Sequence, residues 1–173
     1  MSGAVRWLLV TAALAVLVHV ATVVALPYVI MRAVMNQAPD GRNQASRPPL
    51  ATAASRAIVR PSPDLAYTFC AFDVAERPLR VRARVADGYT SLSMFAANTD
   101  NFFARNDRQA VDGAIEVLLV GPDAAPPAAG GREVVVAPSP RGVILVRRVV
   151  ESPQHFAAVD ALRRDDVCAP FDG

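Results

Sequence analysis

The chain has 173 residues, 53% of them hydrophobic and only 20% charged. That balance is too apolar for a disordered protein, and the length suits one ordinary domain. All 18 basic residues are arginine, which excludes lysine nucleophiles and Schiff-base chemistry, and two histidines with two cysteines in no zinc-like spacing leave little for a metal cage.

The net charge of +2 hides an uneven distribution. Residues 1–60 carry six arginines against Asp40, whereas residues 61–173 carry twelve arginines against fifteen carboxylates. A nucleic-acid binder needs its basic excess on the folded domain, so no nucleic-acid partner is expected.

The first element is a membrane segment. Trp7 to Met31 is a run of 25 residues without Asp, Glu, Lys or Arg, bounded by Arg6 and Arg32. As a helix it spans about 37 Å, enough for a hydrocarbon core of roughly 30 Å with some tilt. Trp7 and Tyr28 fall near its ends, where amphipathic rings prefer the headgroup zone. A cleaved signal peptide is the competing reading, with Val23-Val24-Ala25 as the cleavage site; the apolar run is too long for one and continues past that point. Residues 1–32 are therefore read as an uncleaved anchor, with the lipid bilayer as partner. His19, in mid-span, is read as a neutral imidazole hydrogen-bonded to a neighbouring helix or to backbone.

Residues 33–63 are read as a linker. Gln37-Ala-Pro-Asp-Gly41, Arg47-Pro-Pro-Leu50, Pro61 and Pro63 supply turn formers and small residues, with a short helix allowed over Ala51 to Val59. Arg42, Arg47, Arg56 and Arg60 either hold this tether near anionic headgroups or simply solubilise it.

From Asp64 the pattern turns to strands, and residues 64–173 are read as the folded domain. Leu79 to Val85 alternates without a fault, with one face apolar and the other carrying Arg80, Arg82 and Arg84. Tyr67 to Val74 and Thr90 to Ala97 are β-rich, and Asp87-Gly88 before the latter is a hairpin signal. Ile115 to Val120, Val134 to Val136 and Val143 to Val146 read as short buried strands, the first two separated by a long loop over residues 121–131. Ser152-Pro153 opens a helix, with serine as its cap and Phe156, Val159 and Leu162 on one face. Six or seven strands and one late helix predict a small, mainly β domain, an antiparallel sandwich or open barrel.

Few residues invite chemistry. In an oxidising compartment Cys70 and Cys168 would bridge across 98 residues, worth up to roughly 4.5 kcal/mol; two unrelated thiols are the alternative. His155 lies in the first turn of the late helix and reads as an ordinary capping-turn histidine rather than a base for a cysteine nucleophile. No G-x-S-x-G elbow is present. Asn98 to Gly113 is rich in oxygen ligands without EF-hand spacing, and is read as a polar loop with Phe102 and Phe103 tucked onto the sheet. The arginine row at 80, 82 and 84 is a candidate face for an anionic ligand, against the plainer reading of a solvated sheet face. No catalytic residue, metal or cofactor is expected.

Several stretches resemble the DUF1254 family of uncharacterised bacterial proteins. They are Tyr67-Thr-Phe69 with Asp73, Gly88-Tyr89, Ser91-Leu92, Thr99 and Phe102, Leu118-Leu-Val-Gly-Pro122, Pro138, Val143, Arg147 and Ala157-Ala-Val159, in order over residues 64–165. The anchor resembles that of a short subgroup, small integral membrane proteins of α-proteobacteria, in which His19 to Pro27 has counterparts and cysteines lie near Cys70 and Cys168. Longer relatives pair this domain with a DUF1214 domain, so the resemblance implies a separate DUF1214-type membrane protein as partner. Ala96 and Asn98 depart from the polar-acidic and aromatic residues expected in those relatives, so a pocket there is not expected.

Orientation follows from conflicting signals. Arg32, Arg42 and Arg47 outnumber Arg6 and the amino terminus, which would hold the domain in the cytoplasm; the cysteine pair and the resemblance point outward. The expectation adopted is a periplasmic domain on a single-pass anchor, binding another envelope protein. An envelope enzyme or ligand-binding module completed by a DUF1214-type partner is the alternative.

Overall fold

The computed structural model describes residues 2–56, 61–125 and 127–171. The apolar run forms one helix, α1 (Gly3–Asn36), about 51 Å long and apolar on every side. Pro27 lies within it, and Thr22 hands its hydroxyl proton back to the Val18 carbonyl at 2.8 Å. Trp7, Leu8, Leu17 and Val24 are exposed, so the helix has no protein partner along most of its length.

Among the described residues, eight strands and one α-helix follow: β1 (Leu65–Asp73), β2 (Leu79–Arg84), β3 (Thr90–Ala96), β4 (Asn101–Asn106), β5 (Ala114–Val120), β6 (Glu133–Val136), β7 (Arg141–Val149), α2 (Pro153–Leu162) and β8 (Val167–Pro170). They make two four-stranded sheets, ordered β1-β7-β3-β4 and β6-β5-β2-β8. The fold is the mainly β one implied by the patterning, in its sandwich form. All pairings are antiparallel except β5 with β6, whose long connection carries the chain back to run in the same direction.

The core lies between the sheets. Period-two alternation sends Cys70 and Phe72, Leu92 and Met94, and Ile144 and Val146 inward from the first sheet. Leu79, Val81 and Ala83, Ile115, Val117 and Leu119, and Cys168 meet them from the second. Each fully buried Leu, Val, Phe or Met contributes about 1.5–3 kcal/mol. Gly142 is in register with Phe72 on one side and Ala96 on the other. A Cβ there would meet the Phe95 carbonyl and would stand 2.7 Å from the Phe72 ring, so the ring occupies the space a side chain would need.

Five sequence expectations change. Asp87-Gly88, with Gly88 at φ +84°, does not turn a hairpin: it carries the chain from β2 in one sheet to β3 in the other. The hairpin comes next, between β3 and β4, where Thr99 takes the left-handed conformation at φ +72°. The stretch read as a polar loop therefore contains strand β4, with Phe103 buried in the core, and the chain after α2 forms a further strand, β8. Finally, α1 runs on to Asn36, and Arg42 to Arg47 are built into the domain rather than forming a free tether. No helix forms from Ala51 to Arg56, where residues 52–55 make a turn; the rest of that expected helix lies outside the described residues. The last turns of α1 lie beside β7, with Met31 buried.

Candidate interaction site

On one side of the sandwich the two sheets end in β1 and β8. Cys70 and Cys168 point inward from these strands and are joined as a disulfide, with Cα atoms 6.5 Å apart. Both are almost fully buried.

Beyond β1 the segment 42–46 lies against the sheet through two isolated bridges, Arg42 with Ala71 and Ser46 with Phe69, with a turn at the left-handed Asn43 (φ +58°) between them. Ser46 and Phe69 exchange backbone bonds, each 2.8 Å, and the Asn43 N–H donates to the Ala71 carbonyl at 2.8 Å. The Asn43 side chain pairs with the backbone of Asp73, donating at 2.8 Å and accepting at 2.7 Å. Asp73 also receives Arg141 at 2.7 Å and Arg42 at 3.3 Å. Its partial burial works to raise the carboxyl pKa, but the Arg141 hydrogen bond, the Ala75 N–H and the two arginine charges outweigh it and hold it below the ordinary value.

Among the described residues β8 has no such neighbour. Antiparallel ladders alternate bonded and free residues, and the Phe171 N–H donation to Pro78 fixes the phase: Ala169 and Val167 bond toward β2. The N–H and C=O of Cys168 and the C=O of Pro170 consequently point away from the sheet. They open onto a groove of about 740 Å³, with Arg42, Asn43, Gln44 and Ala45 on the facing wall.

Arginines frame one end of this groove. Arg47 donates to the carbonyls of Arg163 at 2.7 Å, Arg164 at 3.0 Å and Asp166 at 2.8 Å. Arg163, itself buried, reaches the Pro48 and Tyr67 carbonyls at 2.9 and 2.8 Å, and Asp160 at 2.8 Å. The Arg163 hydrogen bond holds the Asp160 carboxyl below its usual range against a smaller burial effect. Beneath them Arg148 and Asp166, both buried, form a two-pronged pair at 2.6 and 2.9 Å. Asp166 also accepts from Thr68 at 2.6 Å and from the Arg84 N–H at 3.0 Å, so one carboxylate ties together β1, β2, β7 and the start of β8.

On the outer face of the second sheet, Arg80, Arg82 and Arg84 lie in a row, as the alternation predicts. Glu116 on β5 receives Arg132 at 2.6 Å and Arg80 at 3.0 Å; Arg82 is at ion-pair distance, 3.5 Å, without hydrogen-bond alignment. Burial tends to raise the Glu116 pKa, but the hydrogen bonds from Arg132 and Arg80 and their charges prevail and lower it. Three guanidiniums thus share one carboxylate.

The remaining candidates do structural work. The His155 N–H donates to the Ser152 cap at 3.1 Å, and its Nδ1 accepts from the Glu151 N–H at 3.3 Å. Asp107 accepts from the Thr90 N–H at 3.3 Å, and Asp100 closes the β3–β4 turn with Asn98 at 2.6 Å. Sequence reasoning missed Arg148 and Asp166. The signal was present in Val146-Arg-Arg-Val149, because two adjacent arginines in a strand cannot both face solvent.

Comparison with known proteins gives a family and a fold. The family described as "Protein of unknown function (DUF1254)" matches residues 42–170, so the match includes the segment that bridges to β1. The crystal structure of the VPA0106 protein from Vibrio parahaemolyticus is similar, with a TM-score of 0.63 and 14% identity over 84% of this chain and 35% of that one. A putative uncharacterized protein from Burkholderia cenocepacia has a TM-score of 0.48 and 18% identity over 72% of this chain and 36% of that one. The chain spans about a third of the length of these two solved structures. No curated protein matches it.

Proposed function

Since the chain belongs to the DUF1254 family of proteins of unknown function, we propose that it is a single-pass, membrane-anchored binding module whose β-sandwich stands on the periplasmic side of a bacterial inner membrane. The anchor reading rests on 25 consecutive uncharged residues in a helix whose apolar surface is exposed. One feature supports the outward placement: the buried Cys70–Cys168 cystine suits an oxidising compartment.

The observation that carries the binding role is the groove along β8, where backbone groups of a sheet edge face open space. Such an edge is a ready template for a strand from another protein. A DUF1214-type membrane protein is the proposed partner. A photo-crosslinking residue at Gln44, on the groove wall, should yield a covalent adduct in intact membranes; a chain that stays monomeric under illumination at that position counts against the proposal.

A further inference from the structure

The two sheets are unequal where they meet the groove. The outer edge of β1 is covered by the bridging segment 42–46, whereas β8 ends the second sheet without such a cover among the described residues. Ala45, between the two bridges, packs against the core, and Cys168 lines the same groove from β8. The position beside β8, along its unpaired edge, opens into that groove.

Resting on the binding-module reading, we propose that this position is filled by an extended acidic segment of the partner protein, added antiparallel or parallel to β8. The register defines its chemistry. Its main chain would meet the free N–H and C=O of Cys168 and the C=O of Pro170. Alternate side chains would point inward over Ala45 and Cys168, both small and apolar. The others would point outward beside Val167 and Ala169, whose β2 partners are Arg82 and Arg80. Two strand spacings, about 10 Å, separate the new strand from that arginine row. Val167 and Ala169 are short, so a glutamate and an arginine meet across them.

Charge selects the occupant. Arg80, Arg82, Arg84 and Arg132 against Glu116 leave three positive charges on the outer face. A second copy of this chain docked edge to edge through β8 would set two such faces side by side, with like charges repelling. An acidic strand neutralises the face instead.

The test uses the full chain in a neutral detergent and a fluorescein-labelled peptide of alternating valine and glutamate, followed by fluorescence anisotropy. Saturable binding is expected, weakened about tenfold by Ala169→Glu, which sets a carboxylate on the outer face opposite Arg80 and beside the peptide's glutamates. Arg82→Glu should act in the same direction, with an unchanged melting temperature and intact cystine as the check on its folding. N-methylation of alternate amides should abolish binding in one phase and spare it in the other, because only one edge of the peptide faces β8. Equal binding of a valine–lysine peptide, indifference to both N-methylation phases, or a dimer that occludes the groove would each overturn the proposal, as would absence of saturable binding. The Gln44 crosslink separates this failure from that of the binding module itself. An adduct on a segment without carboxylates removes the acidic strand and keeps the module; no adduct removes both.

Discussion

Replacing Asp166 by asparagine should unfold the domain well below the wild-type temperature. Both carboxylate oxygens are doubly occupied: Oδ1 accepts from Arg148 at 2.6 Å and the Arg84 N–H at 3.0 Å, and Oδ2 from Thr68 at 2.6 Å and Arg148 at 2.9 Å. An amide must place its NH2 against one of these donor pairs, and the Arg148 guanidinium, wholly buried, loses its counter-charge. Breaking a buried pair from one side costs about 3–5 kcal/mol. For a domain of this size that is a fall in Tm on the order of 10–20 °C. The assay is far-UV circular dichroism of the full chain in detergent, without reductant. Thr68→Ala, which removes one donor and no charge, should cost only about 1.5–3 kcal/mol. Combining Asp166→Leu with Arg148→Met should recover most of the loss, since replacing both charges by apolar groups leaves nothing unpaired. An Asp166→Asn variant that melts with the wild type would refute the claim that this pair locks the two sheets together.

Four further outcomes follow from the same geometry. Removing the cystine with Cys70→Ala and Cys168→Ala should lower stability by about 2–5 kcal/mol in a denaturant titration, given the 98 residues it spans. Gly142→Ala should cost about 3 kcal/mol or more, read as loss of the folded, oxidised species on non-reducing gels, because its Cβ meets the Phe95 carbonyl and the Phe72 ring. Asp73, Glu116 and Asp160 all have lowered folded-state pKa values, so the unfolded chain takes up protons first as pH falls. Stability from these groups is complete above the unfolded carboxylate range, about pH 4 to 5, and is lost as pH drops through the folded values; Glu116→Gln should reduce that acid sensitivity in urea titrations at stepped pH. Ser152→Ala should cost about 1 kcal/mol in thermal melts by deleting the hydroxyl that caps the His155 N–H.

The fold was readable where the chain obeys one simple period. The uncharged run, the alternation of Leu79 to Val85 and the Ser-Pro helix start all lead to elements that are present. β4 was hidden because Asn101 to Asn106 mixes polar residues with Phe102 and Phe103, as an edge strand exposed on one flank does. β8 was hidden because four residues are too few to display a period. Asp87-Gly88 misled because a left-handed glycine is needed as much for a turn between sheets as for a hairpin. The arginine row was legible from alternation, but its sharing of Glu116 depends on the β2–β5 register, which places Arg82 opposite Glu116. The groove was not legible at all. It arises from residues 43–46 pairing with β1 and leaving β8 bare, a choice between two edges that local sequence does not record.

The measurement closest to the central claim is the oxidation state of Cys70 and Cys168 in living cells. Cells would be quenched in acid, denatured to expose the buried sulfurs, and treated with polyethylene glycol maleimide before or after reduction. An envelope domain closed by a cystine predicts no mass shift before reduction and two adducts after it. Two adducts without reduction would place free thiols in a reducing compartment and contradict the periplasmic reading.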